Sequence, residues 1–202
     1  SGQTICYNTS PTAFTNSSSP TGGTGSHNYQ WQKSTTSAVA GFSNISGANS
    51  STYNEPGNLT VNTWYRRTVT SGSCGSKNST AVQVIVRADL NAGSIASGQT
   101  ICYNTSPTAF TNSSSPTGGT GSHNYQWQKS TTSAVAGFSN ISGANSSTYN
   151  EPGNLTVNTW YRRTVTSGSC ESKNSTAVKI TVRADLNAGS IASGQTICYN
   201  TS

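Results

Sequence analysis

The sequence has no methionine and little charge: Asp, Glu, Lys and Arg together make up 8% of its 202 residues, where an ordinary globular domain carries roughly 25%. Each shortage removes a class of function. With five acidic residues and two histidines in the whole chain, a nucleophile, its base and an orienting group have few candidates from which to converge within hydrogen-bond reach. Catalysis is not expected. Paired Cys-x-x-Cys spacing is missing, and one histidine per repeat, His27 and then His123, does not complete a four-ligand zinc shell. The basic residues form no run. Only Arg66–Arg67 and Arg162–Arg163 are adjacent, and neighbours on a strand point to opposite faces, so the concentrated basic face of a nucleic-acid binder is not expected. No stretch approaches the roughly 18 apolar residues of a membrane span, so direct membrane insertion is not expected, and any export or anchoring signal is expected elsewhere in a longer parent protein. Sustained 3.6-residue periodicity is absent as well, which predicts almost no helix.

What is present is repetition. Residues 1–96 recur as 97–192 with four substitutions, and 193–202 begin a third copy. A unit of this length exceeds the roughly 20 to 50 residues of a solenoid repeat and suits a domain with its own core. The natural frame begins near Asp89, because a strand signal runs across the repeat boundary from Ala92 to Cys102. The division is therefore 1–88 for a first domain with a truncated opening strand, 89–184 for a second, and 185–202 for the opening strand of a third.

Within one repeat, Ser, Thr and Asn dominate the spacers, and short apolar patterns separate them. Strands are predicted at 12–15 around Phe14, at 27–33, at 42–45, at 52–53, at 63–70 and at 80–87. Tyr29 and Trp31 share one face of theirs and Gln30 and Gln32 the other, which makes Trp31 the expected core centre. The Gly-rich residues 20–26 read as a connection between strands, since no helix or Lys-Ser/Thr follows to make a phosphate cradle. The substitutions report which side of the last strand is buried. Val84 becomes Ile180, whereas Gln83 becomes Lys179 and Ile85 becomes Thr181, so Val82, Val84 and Val86 are expected inside and Gln83, Ile85 and Arg87 outside. The fourth change, Gly75 to Glu171, falls in a predicted hairpin turn at 71–76. About seven short strands with turn signals in each unit predict an all-β fold of tandem immunoglobulin-like β-sandwich domains.

Five cysteines fall as Cys6 and Cys74, Cys102 and Cys170, and Cys198. Two per small polar repeat point to one disulfide per domain, drawn from Cys6, Cys74, Cys102 and Cys170, in a secreted protein. A bond from Cys74 is expected to fasten a loose turn rather than to bridge the core. Pairing within or between repeats stays open, because spacing fixes no connectivity.

Gly-Gly-Thr-Gly at 22–25, Tyr-Gln-Trp-Gln at 29–32, Gln-Thr-Ile-Cys at 3–6 and Thr-Trp-Tyr-Arg-Arg-Thr-Val-Thr-Ser-Gly-Ser-Cys at 63–74 resemble the immunoglobulin-like repeats of giant SprB-type adhesins of gliding Bacteroidetes. The resemblance implies type IX secretion, display on the outer surface as long filaments attached at the outer membrane, contact with the gliding machinery, and attachment to substrata. It implies surfaces or polysaccharides as partners, beside neighbouring repeats of the same chain. Trp64 and Trp160 are the candidate sugar-stacking residues, with Arg66 and Arg162 beside them, because they fall on the face opposite Tyr65 and Val69. Weak multivalent attachment, a passive stalk carrying a distal tip, and a filament subunit assembling by strand addition are the three functional readings. No cofactor is expected. No metal is expected either, since Asp89 is the only acid at the junction and calcium sites use several oxygen ligands.

Overall fold

The computed structural model describes residues 1–200. Its first sheet is built from β1 (Gln3–Ile5), β2 (Asn28–Ser34), β3 (Ser43–Asn44), β4 (Thr63–Thr70), β5 (Ser76–Asn78) and β6 (Val82–Val86), in the order β1-β6-β4-β2-β3 with β5 also on β4. A short β7 (Ser94–Ile95) then pairs with β9 (Asn112–Ser114). The second sheet repeats the first with β8 (Gln99–Ile101), β10 (Asn124–Ser130), β11 (Ser139–Asn140), β12 (Thr159–Ser167), β13 (Cys170–Asn174) and β14 (Val178–Val182), in the order β11-β10-β12-β14-β8 with β13 on β12. All pairs in the two large sheets are antiparallel except the edge pairs β1–β6 and β8–β14. Among the described residues a single 3-10 turn, Gly72–Cys74, is the only helical element.

Strand alternation builds each core. Thr63, Tyr65 and Arg67 of β4 point inward with Trp31 of β2 and Val84 of β6, because Trp31 pairs with Arg67 and Thr63 with Val84. Phe14, Trp31, Ala48, Leu59, Tyr65 and Val84 form the first core, with Val82 and Val86 packed against it and Ile85 exposed. The substitution pattern of the last strand thus follows its two faces. Aromatic rings carry most of the burial: Phe14 lies 4.6 Å from Tyr65 in a tilted contact and stacks on Tyr53, arrangements that add about 0.5–1.5 kcal/mol per pair beyond area burial. Trp31 satisfies its indole N–H on the Ser50 carbonyl at 2.9 Å.

The opposite layer is less regular than predicted. Residues 12–15 and 52–53 meet only through the single bridge Phe14–Tyr53, and Thr9–Leu59 is a second. Gln3 is the reason: its side-chain amide takes the Thr12 N–H at 2.8 Å and donates to the Thr12 carbonyl at 2.9 Å, so a side chain replaces the strand that would have continued the ladder. The result is an immunoglobulin-like β-sandwich with one well-formed sheet facing a layer of bridges.

The cysteines pair across repeats. Cys6 bonds to Cys170, 164 positions away, while Cys74 and Cys102 are exposed thiols, which corrects the expectation of one bond per domain among Cys6, Cys74, Cys102 and Cys170. Topology explains it. Cys6 follows β1, which runs parallel to β6 and lies beside its final residue Val86. Cys74 follows β4, which runs antiparallel to β6. The two cysteines of one repeat therefore sit at opposite poles, separated by an eight-residue strand, or about 25 Å at roughly 3.3 Å per residue. A disulfide requires Cα atoms within about 7 Å. Only the exit pole of one repeat and the entry pole of the next come close, with Cα atoms 5.4 Å apart.

Candidate functional site

The junction between repeats is built from backbone pairing and buried side chains of the linker. Leaving β6, residues 88–95 lie in the second domain as its opening segment. The Ala88 carbonyl accepts from the Gly119 N–H at 2.9 Å, Asn91 and Thr117 exchange backbone bonds, and Ser94 and Ile95 pair with Asn112–Ser114. Leu90 and Ala92 pack with Val165 and Tyr125, and Ile95 enters the core of Phe110, Trp127 and Tyr161; all three linker side chains are 5% exposed. Burial on this scale stabilises by about 1.5–3 kcal/mol for each of Leu90 and Ile95. Asp89 faces Lys173 at 3.7 Å, a surface pair that adds little.

Arg163 closes the linker from below. Fully buried on the inner face of β12, its guanidinium donates to the side chain of Asn112, to the Ser147 carbonyl and, at 3.1 Å, to the Ala92 carbonyl of the linker. It also lies 4.8 Å over the Tyr125 ring, a favourable cation–π placement. Burial lowers its pKa from the ordinary arginine value. The sequence separates Arg163 from Arg162 only by strand parity, and nothing in it marks the inner arginine as a ligand for the linker. The Gly-rich residues 118–121 likewise do more than connect strands. Gly118 has φ +79, and a Cβ there would collide with the Asp89 carbonyl, so the glycine is required both for its backbone conformation and for linker contact. Leu90, Ala92 and Ile95 all lie inside, although simple alternation would put Ile95 on the other face, because the extended run is interrupted at Gly93, whose φ is +65.

Trp64, Arg66, Trp160 and Arg162 lie on the outer face of their strands. Both tryptophans are half-buried. Arg66 stacks on Phe42 at 4.0 Å and donates to Gln32 at 2.7 Å, and Arg162 repeats this on Phe138 and Gln128. The two faces differ at one point. Lys179 sits 5.3 Å over the Trp160 ring, whereas Gln83 is the cross-strand neighbour of Trp64. The structure thus places each Trp and Arg on one face but ties the arginines to in-chain partners.

A buried acid lies on the other side of each core. Glu151, 6% exposed, accepts from Tyr161 at 2.7 Å and from Lys129 at 3.3 Å, and Glu55 does the same with Tyr65 and Lys33. Burial alone would raise each carboxyl pKa, but the tyrosine and lysine bonds, the lysine charge and a backbone N–H together outweigh it and hold the acid below its ordinary value. Burial, followed by the Glu151 charge, pushes the Tyr149 hydroxyl up to about 12. A carboxylate whose pKa falls on folding contributes stability above its unfolded pKa and loses it as pH drops through the folded pKa. The melting temperature is therefore expected to be flat through neutral pH and to fall below about pH 4.5. Glu151→Gln should reduce that slope at a cost of about 1–3 kcal/mol at neutral pH. Urea unfolding at several pH values measures both, and an unchanged slope in the variant would remove Glu151 from the account.

Compared with known families, residues 1–88 and 91–184 each match the family described as "Domain of unknown function (DUF8696)". No curated protein matches the chain in sequence. Among solved structures, extracellular domains 3–5 of Drosophila OTK are 14% identical with a TM-score of 0.42, over 91% of this chain and 59% of that one. The I-band fragment I67–I69 from titin is 10% identical with a TM-score of 0.40, over 90% and 62%. Three N-terminal domains of the highly immunogenic outer capsid protein of bacteriophage RB49 are 11% identical with a TM-score of 0.42, over 91% and 68%. The chain thus spans about three fifths of the first two. With both full repeats matched, the chain belongs to the DUF8696 family and carries two consecutive copies of its domain.

Proposed function

We propose that this chain is a repeat segment of a long extracellular stalk, in which each domain is fastened to the next to give a cell-surface adhesin its reach. One observation carries the reading: Cys6–Cys170 joins the exit pole of one repeat to the entry pole of the next, so the repeat rule generates a line of domains cross-linked at every junction. Such bonds persist in oxidising compartments, which fits surface display. The sequence resemblance to gliding adhesins supplies the setting of type IX export and attachment during gliding. In this reading the stalk is non-enzymatic, and each buried acid is bonded to a core tyrosine and to a half-exposed lysine.

A second reading, that the repeats themselves attach weakly to polysaccharide, is favoured by the outward placement of Trp64 and Arg66. The two readings separate on arrays of two, four and six repeats. A stalk predicts a maximum dimension in small-angle scattering that grows linearly with repeat number, with glycan or surface retention unchanged by alanine at every Trp64-type position. Retention that rises with repeat number and drops about tenfold or more in the alanine arrays, as removal of multivalent binding would give, transfers the function to the tryptophan face. Arrays that collapse to a compact globule contradict both.

A further inference from the structure

A short covalent path crosses the molecule through strands that are already drawn out. It begins on β1, which lies extended along Val84–Val86 at the edge of the first sheet and leads directly to Cys6. From Cys6 the disulfide steps to Cys170, the first residue of β13. β13 and β14 are both antiparallel to β12 and follow one another along it, with Cys170 opposite Ser167 and Ile180 opposite Thr159. The run 170–182 therefore spans the second domain from its entry pole to its exit pole. Its ten steps from Cys170 to Ile180 lie along eight of β12, which leaves slack of only about 7 Å at roughly 3.3 Å per residue.

Everything between the two cysteines hangs beside this path. Residues 7–169 carry Phe14, Trp31 and Tyr65 of the first core and Phe110, Trp127 and Tyr161 of the second, and the bond closes them into one loop with a sequence separation of 164. We infer that β1, the Cys6–Cys170 bond and the run β13–β14 form a load-bearing tether, which lets the segment carry tension without unfolding its domains. This role rests on the stalk reading and adds to it a fixed length under load.

The physical reason is the limited reach of the backbone. A chain cannot exceed about 3.3–3.6 Å per residue, and a strand already rises roughly 3.3 Å, so tension along β1 or β13–β14 meets covalent geometry before it lengthens the protein. The ladder hydrogen bonds beside the path are then spared most of the load. Without the bond the route is different. Tension enters the first domain on β1 and leaves it on β6, the strand paired with β1, and so shears one against the other.

The test stretches the 202-residue chain between terminal peptide tags by single-molecule force spectroscopy, first oxidised and then in dithiothreitol. Non-reduced peptide mapping is run on the same oxidised sample. In dithiothreitol two unfolding steps are expected, one per domain, together about 500 Å at roughly 3.3–3.6 Å per residue. Oxidised protein should lose both, with no step longer than about 10 Å. Cys6→Ser should restore the two steps without reductant, whereas Cys102→Ser, which removes an exposed thiol off the path, should show none. A step above about 30 Å, the length of some nine extended residues, in protein whose peptides carry the Cys6–Cys170 pair overturns the tether and leaves the line of cross-linked domains standing. Long steps with a different cysteine pairing overturn both. Identical traces with and without dithiothreitol also overturn the tether.

Discussion

Ile95→Ala is expected to destabilise the second domain by about 2–5 kcal/mol, the range for truncating a buried aliphatic side chain, while Ile191→Ala changes stability by less than about 0.5 kcal/mol, as at an exposed surface position. The two isoleucines share the same local sequence, Ala-Gly-Ser-Ile-Ala. Their surroundings differ completely. Ile95 is 5% exposed among Phe110, Trp127 and Tyr161, and Ile191 is 97% exposed. Intrinsic propensity is therefore identical for the pair, and any difference reports tertiary contact alone. Hydrogen exchange read on β10 and β12 against β2 and β4 during urea unfolding assigns the destabilisation to the second domain. Equal effects at Ile95 and Ile191, or an effect confined to the first domain, would show that residues 89–95 are not part of the second domain's core.

Cys6→Ser is expected to leave both domains folded and to release the junction between them. Neither core contains a cysteine, so the bond holds poles together and does not fill a core. In the chain-entropy account a loop this long, 164 residues, contributes about 5 kcal/mol when closed. Only part of that reaches either domain, since each unfolds around its own core. The larger effect is geometric. With the bond in place, small-angle scattering should give one narrow distribution of distances between the domains; in Cys6→Ser it should broaden, with far-ultraviolet circular dichroism unchanged. An unchanged distribution would mean that the linker packing of Leu90, Ala92 and Arg163 already fixes the junction without help from sulfur.

Much of the sandwich was legible in the sequence because its signals are local. The alternation of Tyr29 and Trp31 against Gln30 and Gln32 marks β2, and the parity of Val84 against Gln83 and Ile85 across two copies marks the faces of β6. The strand read across the repeat boundary, from Ala92 through Cys102, is two short strands instead, β7 pairing with β9 and β8 with β14. What escaped is non-local. Gln3 takes over the ladder of residue 12 through its side chain, and such a substitution leaves no periodic trace. Cysteine pairing depends on which pole each strand delivers its cysteine to, and that follows only once β1 is known to run parallel to β6 and β4 antiparallel to it. Arg163 and Gly118 looked like an ordinary strand residue and an ordinary turn residue, because the linker they hold is distant in sequence. The outer-face pair Trp64 and Arg66 was legible by parity, but not the cover that Phe42 and Gln32 place on Arg66.

The most direct test of a junction locked between repeats is proteolytic mapping of the oxidised, unreduced chain. Tryptic cleavage separates the peptides of Cys6 and Cys102, and the Gly75 to Glu171 difference distinguishes the peptide of Cys74 from that of Cys170 by mass. The account predicts a linked pair containing Cys6 and Cys170, with Cys74 and Cys102 recovered as alkylated thiols from monomeric protein. A Cys6–Cys74 or Cys102–Cys170 pair would contradict it, and with it the line of cross-linked domains on which the stalk rests.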